Sequence, residues 1–212
     1  MKIDRTHAVK EALALLDEVG LDDLSTRKLA QRLGVQQPAL YWHFRDKRAL
    51  LDAMNAELMA RSAHRRPPLP GESWEDFLRA HAIGFRACLL GVRDGARVHA
   101  GAHAQPVDLP IAEAQLAILT EAGFPPEDAL GALVTLARYV VGFVLEEQAE
   151  AAHPPDLETI DAAQFPLLSQ AAEAYRQTAS DRMFHSGLEV FLTGLASLAV
   201  AKGGRQPTSG NS

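Results

Sequence analysis

Two aromatic residues and a histidine stand side by side in a short basic segment of the chain. Leu40 and Phe44 lie four residues apart, so on a helix both side chains face the core. Tyr41, Trp42 and His43 are then left partly on the outside, where large aromatic side chains call for a binding partner. A phenolic hydroxyl and an imidazole can hydrogen-bond phosphate oxygens, so this surface is expected to contact a nucleic acid. The alternative for Tyr41 and Trp42 is a place in the core.

Residues on either side of these aromatics have side chains suited to reading bases. Gln37 can pair with adenine in the major groove, Ala39 can meet a thymine methyl group, and Arg27 can reach a guanine. Pro38 is tolerated in the first turn of a helix, and Lys47 can pair with a phosphate. The residues predicted to contact DNA are Thr26, Arg27, Gln37, Pro38, Ala39, Tyr41, Trp42, His43 and Lys47.

The elements that must position these side chains follow a helix-turn-helix pattern. Ala30 lets two helices approach closely, Gly34 takes the turn, and Leu40 packs the second helix on the first. Many helical hairpins share this spacing, so the aromatic and basic residues between those positions carry the prediction. Residues 1–66 hold twelve basic and nine acidic residues, whereas 67–212 hold nine and eighteen. A basic module on an acidic body can still bind phosphates, because the attraction is local and screened by salt.

The whole chain is predicted to be all-α, because no stretch alternates with period two. Gly20 is expected to stop the first helix, while Ser25, Asp46 and Ser73 are expected to cap later ones, the last with Asp76. A proline-rich break at 66–71 separates an N-terminal three-helix helix-turn-helix domain (1–66) from a larger helical domain (67–203), followed by a disordered tail (204–212). Helices are predicted over 26–33, 37–44, about 111–121, 127–150, 165–177 and 181–201.

Several classes of protein are disfavoured by the composition. The N-terminus lacks the apolar block of a signal peptide, and no run approaches the roughly 18 uninterrupted apolar residues of a membrane span. The single cysteine, Cys88, excludes an internal disulfide framework and a cysteine-based zinc site, so a cytoplasmic location without membrane contact is expected. No nucleophile elbow, HExxH motif or glycine-rich phosphate loop indicates an enzyme. A purely structural helical dimer would leave the basic, aromatic surface unexplained.

The chain resembles the TetR family, and within it the tetracycline repressors. The stretch STRKLAQRLGVQQPALYWHFRDKRALLDAM (25–54) is similar to their DNA-binding domain throughout. The resemblance continues into the second half, where few TetR-family proteins agree with one another. The segments there that look like their counterparts are GESWEDFLR (71–79), FRACLL (85–90), RDGARVHAG (93–101), LEEQ (145–148) and FLTGLASL (191–198).

This resemblance implies a ligand-responsive repressor that binds a palindromic operator as a homodimer and is released by a small-molecule inducer. The helix near 127–150 and the last helix would form a four-helix bundle between two chains, and 67–203 would bind ligand and dimerise. The apolar stripe on the last helix is broad, and Gly187 and Gly194 would permit close approach of another helix. Both features agree with such a bundle. Ligand binding would move the helix that begins at Ser73 and the segment 94–99, and the helix that follows Asp46 would carry the motion to the DNA-binding domain.

The resemblance also implies where an inducer would bind. In tetracycline repressors a histidine holds the Mg²⁺ of the drug complex directly, and a glutamate of the partner chain holds it through water; these match His99 and Glu146. No cofactor is implied for DNA binding itself. The residues predicted to bind ligand are His64, His81, Phe85, His99, Gln115 and Glu146, of which His99 and Glu146 would bind the metal.

Three positions depart from the tetracycline repressors and leave the effector open. Ala102 replaces a threonine that holds metal-bound water, His81 replaces an asparagine, and a drug-binding histidine falls on Ala63, beside His64. Each lost partner costs about 1–3 kcal/mol if a ligand group is left unpaired. Two alternatives therefore remain: magnesium-tetracycline, or a different hydrophobic or polycyclic effector that needs no metal.

Overall fold

The computed structural model describes residues 4–60, 62, 64–103, 109–152 and 160–203, with the side chains of 152 and 199–203 left aside. Every regular element in these ranges is an α-helix, which confirms the predicted fold class. Ala63 and the predicted disordered tail, 204–212, lie outside the described residues. The helices are α1 (Arg5–Asp23), α2 (Thr26–Arg32), α3 (Gln37–Tyr41), α4 (Lys47–Ala60), α5 (Trp74–Leu90), α6 (Gly95–Gly101), α7 (Leu109–Glu121), α8 (Pro126–Ala152), α9 (Pro166–Gln177) and α10 (Ser180–Gly203).

The reading head, defined here as α1 to α3 with the start of α4, follows the capping signals in the sequence. The Ser25 hydroxyl accepts a hydrogen bond from the Lys28 amide at 3.2 Å, and the Asp46 carboxylate accepts one from the Ala49 amide at 2.7 Å. Gly34 takes the predicted turn at φ 65°. The third helix ends at Tyr41 instead of Phe44, because the chain turns at Trp42 to bring Phe44 into the core.

The first helix is broken, but not ended, at Gly20. This glycine has φ 77° and ψ 169°, and one further helical turn runs on to Asp23, so the predicted stop is a kink. The amide of Leu21, just after the break, donates to Asp94 Oδ2 at 2.8 Å, and Arg97 forms a bidentate ion pair with Asp22 at 2.7 and 3.1 Å. We call these contacts, with the Arg93 side chain packed on Gly20, the α1–α6 clasp.

The sequence did not predict α6, which follows a tight entry from α5. Asp94 adopts φ 56°, uncommon for a residue with a Cβ, and Gly95 lies against the end of α5. A Cβ at Gly95 would lie 2.1 Å from the Leu89 carbonyl oxygen, so a side chain is excluded there. The helix packs on α4, α5 and α8. It thereby joins α4, which we call the connecting helix because it leads from the reading head to the rest of the chain, to the larger domain.

The long helix α8 forms the centre of the larger domain, with α5, α6, α7 and α10 around it. By length and composition alone α8 could cross a membrane, although 28% of its most apolar window is already buried within this chain. On the stripe predicted along α10, Leu188 and Leu192 are buried and Leu198 is 58% exposed. The exposed apolar side chains of these two helices include Leu130, Val134, Leu145, Val190 and Leu198.

Candidate DNA-reading surface and effector cleft

The reading surface exposes its aromatic side chains while the same short helix is fixed from behind. Leu40 and Phe44 are each 1% exposed, whereas Tyr41 is 49% and Trp42 is 90% exposed. Trp42 is therefore not a core residue, and packing within the chain does not account for it. The arrangement presents one rigid helical turn and an indole ring to the outside.

Three of the predicted DNA-contact residues are hydrogen-bonded to one another. The Gln37 side-chain nitrogen donates to Thr26 Oγ1 at 3.1 Å and to the Tyr41 hydroxyl at 3.2 Å. The donor end of Gln37 is thus held between α2 and α3, and its carbonyl oxygen remains for an outside donor such as the exocyclic amine of adenine. Lys47 lies close by, but its Nζ donates to the Leu21 carbonyl at 3.2 Å, so a phosphate would compete with the α1 turn for it.

A cleft between the five helices α4 to α8 gathers most of the predicted ligand residues. It consists of a cavity of about 920 Å³ and an adjoining one of about 240 Å³, which share His64, Arg65, His99 and Ala137. The larger cavity is also lined by Asn55, Met59, Ala100, Ala102, His103, Val134, Arg138, Val141 and Gly142; the smaller is also lined by His81, Phe85, Ile111, Ala112 and Gln115.

Two of the cleft histidines are held neutral. Burial, with the neighbouring charges of His81, Arg65 and His99, lowers the pKa of His64 to about 3. Burial lowers the pKa of His81 to about 4, and Arg66 adds to the effect. The His64 ring packs on Phe85 with centroids 4.5 Å apart and meets His81 edge-on at 5.0 Å, while its Nδ1 contacts the Ser62 hydroxyl. His81 Nδ1 is buried and has no hydrogen-bond partner in the part of the chain that the structure describes.

His99 joins the cleft to the connecting helix. Its Nδ1 lies 3.0 Å from Oδ1 of Asn55, a residue of α4 that is only 2% exposed. With Nδ1–H as the donor to this amide oxygen, Nε2 keeps a lone pair for a ligand. Burial lowers the pKa of His99, which also favours the neutral ring. Gln115 is held differently, because its side-chain nitrogen donates to the Arg66 carbonyl at 3.1 Å.

Glu146 does not meet His99 within one chain. It lines a separate cavity of about 380 Å³ with Tyr139, Glu147, Glu150 and Tyr175. Among the described residues no three His, Cys, Asp or Glu side chains come together to hold a metal ion. Magnesium prefers six oxygen ligands, whereas the described lining of this cleft offers imidazole nitrogens, the side-chain amides of Asn55 and Gln115, and two arginines, so the donors of one chain do not fit a magnesium site.

No sequence pattern pointed to three residues that line the cleft, Asn55, Arg65 and Arg138. Asn55 could have been noticed as a polar residue on the buried stripe of α4, and Arg138 as a charge inside an apolar helix. Nothing local distinguishes Arg65 from Arg66 beside it, although Arg65 lines the cleft and Arg66 pairs with Glu72 at 2.6 Å.

Comparison with known proteins agrees with this architecture. Residues 8–54 match the family described as bacterial regulatory proteins, tetR family, and 67–199 match the tetracyclin repressor-like C-terminal domain. The chain belongs to the TetR family. It is 46% identical over 197 residues to the tetracycline repressor protein class A from transposon 1721 of Escherichia coli, covering 92% of this chain and 91% of that one.

Solved structures of TetR-family proteins superpose over nearly the whole chain. TetR from Acinetobacter baumannii AYE matches with a TM-score of 0.81 and 42% identity, covering 93% of this chain and 99% of its own. TetR(class A) in complex with 5a,6-anhydrotetracycline and magnesium matches with a TM-score of 0.72 and 40% identity, at coverages of 93% and 99%. This TetR-family protein is a ligand-responsive transcriptional repressor, of a family that binds DNA operators as dimers.

Proposed function

We propose that this repressor is released from its operator when a polycyclic compound occupies the cleft around His64 and His99. The observation that carries the proposal is the hydrogen bond between His99 and Asn55, because Asn55 belongs to the helix that continues into the reading head. A ligand that draws the imidazole toward itself must break this bond or move α4 with it. To change a repressor from mostly bound to mostly free, the ligand needs roughly 5 kcal/mol of preference for the released state.

A second contact links the same two helices. The chain just after α6 presents His103, whose amide and Nδ1 lie 2.8 Å from the two carboxylate oxygens of Asp52 on α4. Asp52 and Asn55 are three residues apart and hence on one face of α4. Both ends of the effector-side segment 99–103 are thus attached to the connecting helix, which supports transmission from the cleft to the reading head.

For the DNA side, we propose that α3 enters the major groove with Gln37 and Ala39 toward the bases. Arg27 would reach a guanine. Register and backbone contact would come from the residues around Pro38, namely Thr26, Tyr41, Trp42, His43 and Lys47. The exposure of Trp42 and the fixed donor end of Gln37 support this assignment. The exposed apolar faces of α8 and α10 would pair with the same faces of a second chain.

The remaining assignments follow the same logic. The proposed domains are 1–66 for DNA and 67–203 for ligand and dimerisation, and a cytoplasmic, non-enzymatic regulator is the role proposed for the chain. The relatives found are repressors and not enzymes.

The second candidate effector is magnesium-tetracycline, which the names of the relatives favour. Its metal would rest on His99 and on Glu146 of a second subunit, since one chain does not bring the two together.

The test compares release and ligand binding in matched variants. An operator selected from random DNA with the purified protein is followed by fluorescence anisotropy while tetracycline is added, first with magnesium and then with EDTA. Asn55→Leu is expected to lose most of the release while keeping ligand binding, because it removes the hydrogen bond that links His99 to α4 and leaves His99 itself in the cleft. His99→Gln is expected to lose both, and His185→Gln, on α10, is the control.

Each outcome separates the candidates. Release that requires magnesium and vanishes in His99→Gln establishes magnesium-tetracycline as the effector. No release by tetracycline leaves the metal-free polycyclic compound as the effector to be sought. Full release in Asn55→Leu would contradict the proposed route through α4.

A further inference from the structure

The described lining of the cleft carries positive charge with no carboxylate to balance it. Arg65 and Arg138 both line the larger cavity, and neither the larger nor the smaller cavity is lined by an Asp or Glu among the described residues. Neither arginine forms an ion pair with any part of the chain that the structure describes. Arg65 is half-buried, so its guanidinium is only partly screened by water.

Other arginines of the same half of the molecule do hold carboxylates. These pairs are Arg66–Glu72, Arg79–Glu189, Arg86–Glu147, Arg97–Asp22 and Arg176–Glu173, with nitrogen to oxygen distances of 2.6 to 2.8 Å. Acidic side chains are therefore plentiful in this part of the fold, and the cleft is where they are missing. A partly buried arginine without a carboxylate is typical of a site for an anionic ligand.

The neighbouring imidazoles respond to this charge. Arg65 and the other cleft histidines contribute to the lowered pKa of His64, after burial. A neutral imidazole can donate to, or accept from, a ligand without adding to the charge. The cleft thus combines two guanidiniums with neutral hydrogen-bonding groups and apolar walls from Val134, Val141 and Phe85.

We propose that the effector is an anion: an aromatic or polycyclic acid whose carboxylate or enolate is bound by Arg65 and Arg138. This inference rests on the proposed function only in placing the effector in this cleft. It disfavours a cationic metal chelate, because such a ligand would meet the half-buried Arg65 guanidinium, which no described carboxylate pairs with, and the more exposed Arg138. Arg65 would be a specificity-determining residue, since a bidentate guanidinium distinguishes a carboxylate from its neutral amide.

A matched pair of probes tests the charge directly. Anthracene-2-carboxylate and anthracene-2-carboxamide have the same rings and differ in charge, and both can be followed by fluorescence. The carboxylate is expected to bind about 30-fold more tightly than the amide, as for a partly desolvated charged pair. Arg65→Gln should remove most of this preference, Arg65→Lys should keep part of it, and Arg176→Gln on α9 should leave it unchanged.

The possible results are distinguishable from those for the proposed function. Equal or tighter binding of the amide, or no binding of either probe at about 1 mM, overturns the inference. Release by magnesium-tetracycline together with weak carboxylate binding would also overturn it while supporting the proposed function. Tight carboxylate binding that leaves the operator bound would support the anionic site and contradict its role in release.

Discussion

The reading head and the effector cleft place their functional side chains in opposite ways. Trp42 is 90% exposed, whereas His64 is 7% exposed and His81 has a buried, unpartnered Nδ1. The reading surface costs the fold little free energy, because its large side chains stay in water and the core behind them is apolar. The cleft buries polar groups, one of which, His81 Nδ1, has no hydrogen-bond partner among the described residues, and burial of such a group costs free energy. Changes in the cleft should therefore alter stability and binding together, and changes on the reading surface should alter binding alone.

The two regions also use glycine for different reasons. Gly34, in the turn of the reading head, has φ 65° and open space around it, so only its backbone angle opposes a side chain. Gly95, at the start of α6, is opposed by the Leu89 carbonyl 2.1 Å from where a Cβ would be. Local conformation decides the first case, and close packing of α5 on α6 decides the second.

The largest expected effect is that of Gly95→Ala. Because a backbone oxygen must move, the variant should lose about 3 kcal/mol or more of unfolding free energy in urea. Gly34→Ala is the matched control and should lose about 1 kcal/mol, from its backbone angle alone. Equal losses in the two variants would contradict the distinction between the two glycines.

The next largest effect is a loss of unfolding free energy in acid, which comes from the buried histidines of the cleft. Folding lowers the pKa of His64 to about 3 and that of His81 to about 4, from an ordinary histidine pKa of 6.5. At a pH below 6.5 the unfolded chain therefore binds more protons than the folded chain does. Stability is then full above about pH 6.5 and falls as the pH drops, by about 2 kcal/mol for each histidine at pH 5. Urea unfolding at about pH 6.5 and at about pH 5 checks this. On acidification, His64→Asn and His81→Asn are each expected to lose less unfolding free energy than the unchanged protein. Unchanged acid sensitivity in both variants would count against it.

The smallest of these effects concerns operator affinity alone. Gln37→Ala should weaken operator binding by about 1–2 kcal/mol, because the base contact is lost, and should relax the preference at one base pair. Its melting temperature and effector affinity should match those of the unchanged protein. A clear loss of stability would show that the bonds from Gln37 to Thr26 and Tyr41 support the fold, and would blur the contrast between the two regions.

Much of the reading head could be predicted because its signals are local. Ser25, Gly34 and Asp46 act within a few residues of their own positions, and each does what the sequence indicates. Gly20 is the exception. Its positive φ breaks the helix as expected, but Asp94, which lies 74 positions farther along, supplies an acceptor for the next amide and lets the helix resume. No pattern near Gly20 could show this.

The cleft was harder to predict because it depends on distant packing. His99 stood out only through the resemblance, and α6 itself was missed, since seven residues with two glycines give no helical period. The placement of His64 in the cleft, where the sequence left Ala63 and His64 as alternatives, depends on how the chain leaves α4. The charge balance of the cleft is likewise a property of five helices and the segment after α4 together.

The α1–α6 clasp makes the reading head a body held at two separate places. One is the covalent continuation through α4, and the other is the set of bonds from Asp94 and Arg97 to the turn after Gly20. A rigid body fixed at two points keeps one free rotation, about the line that joins them. The clasp therefore limits displacement of the reading head to a rotation about that line. Two such heads in a dimer would change their separation by rotation and not by sliding.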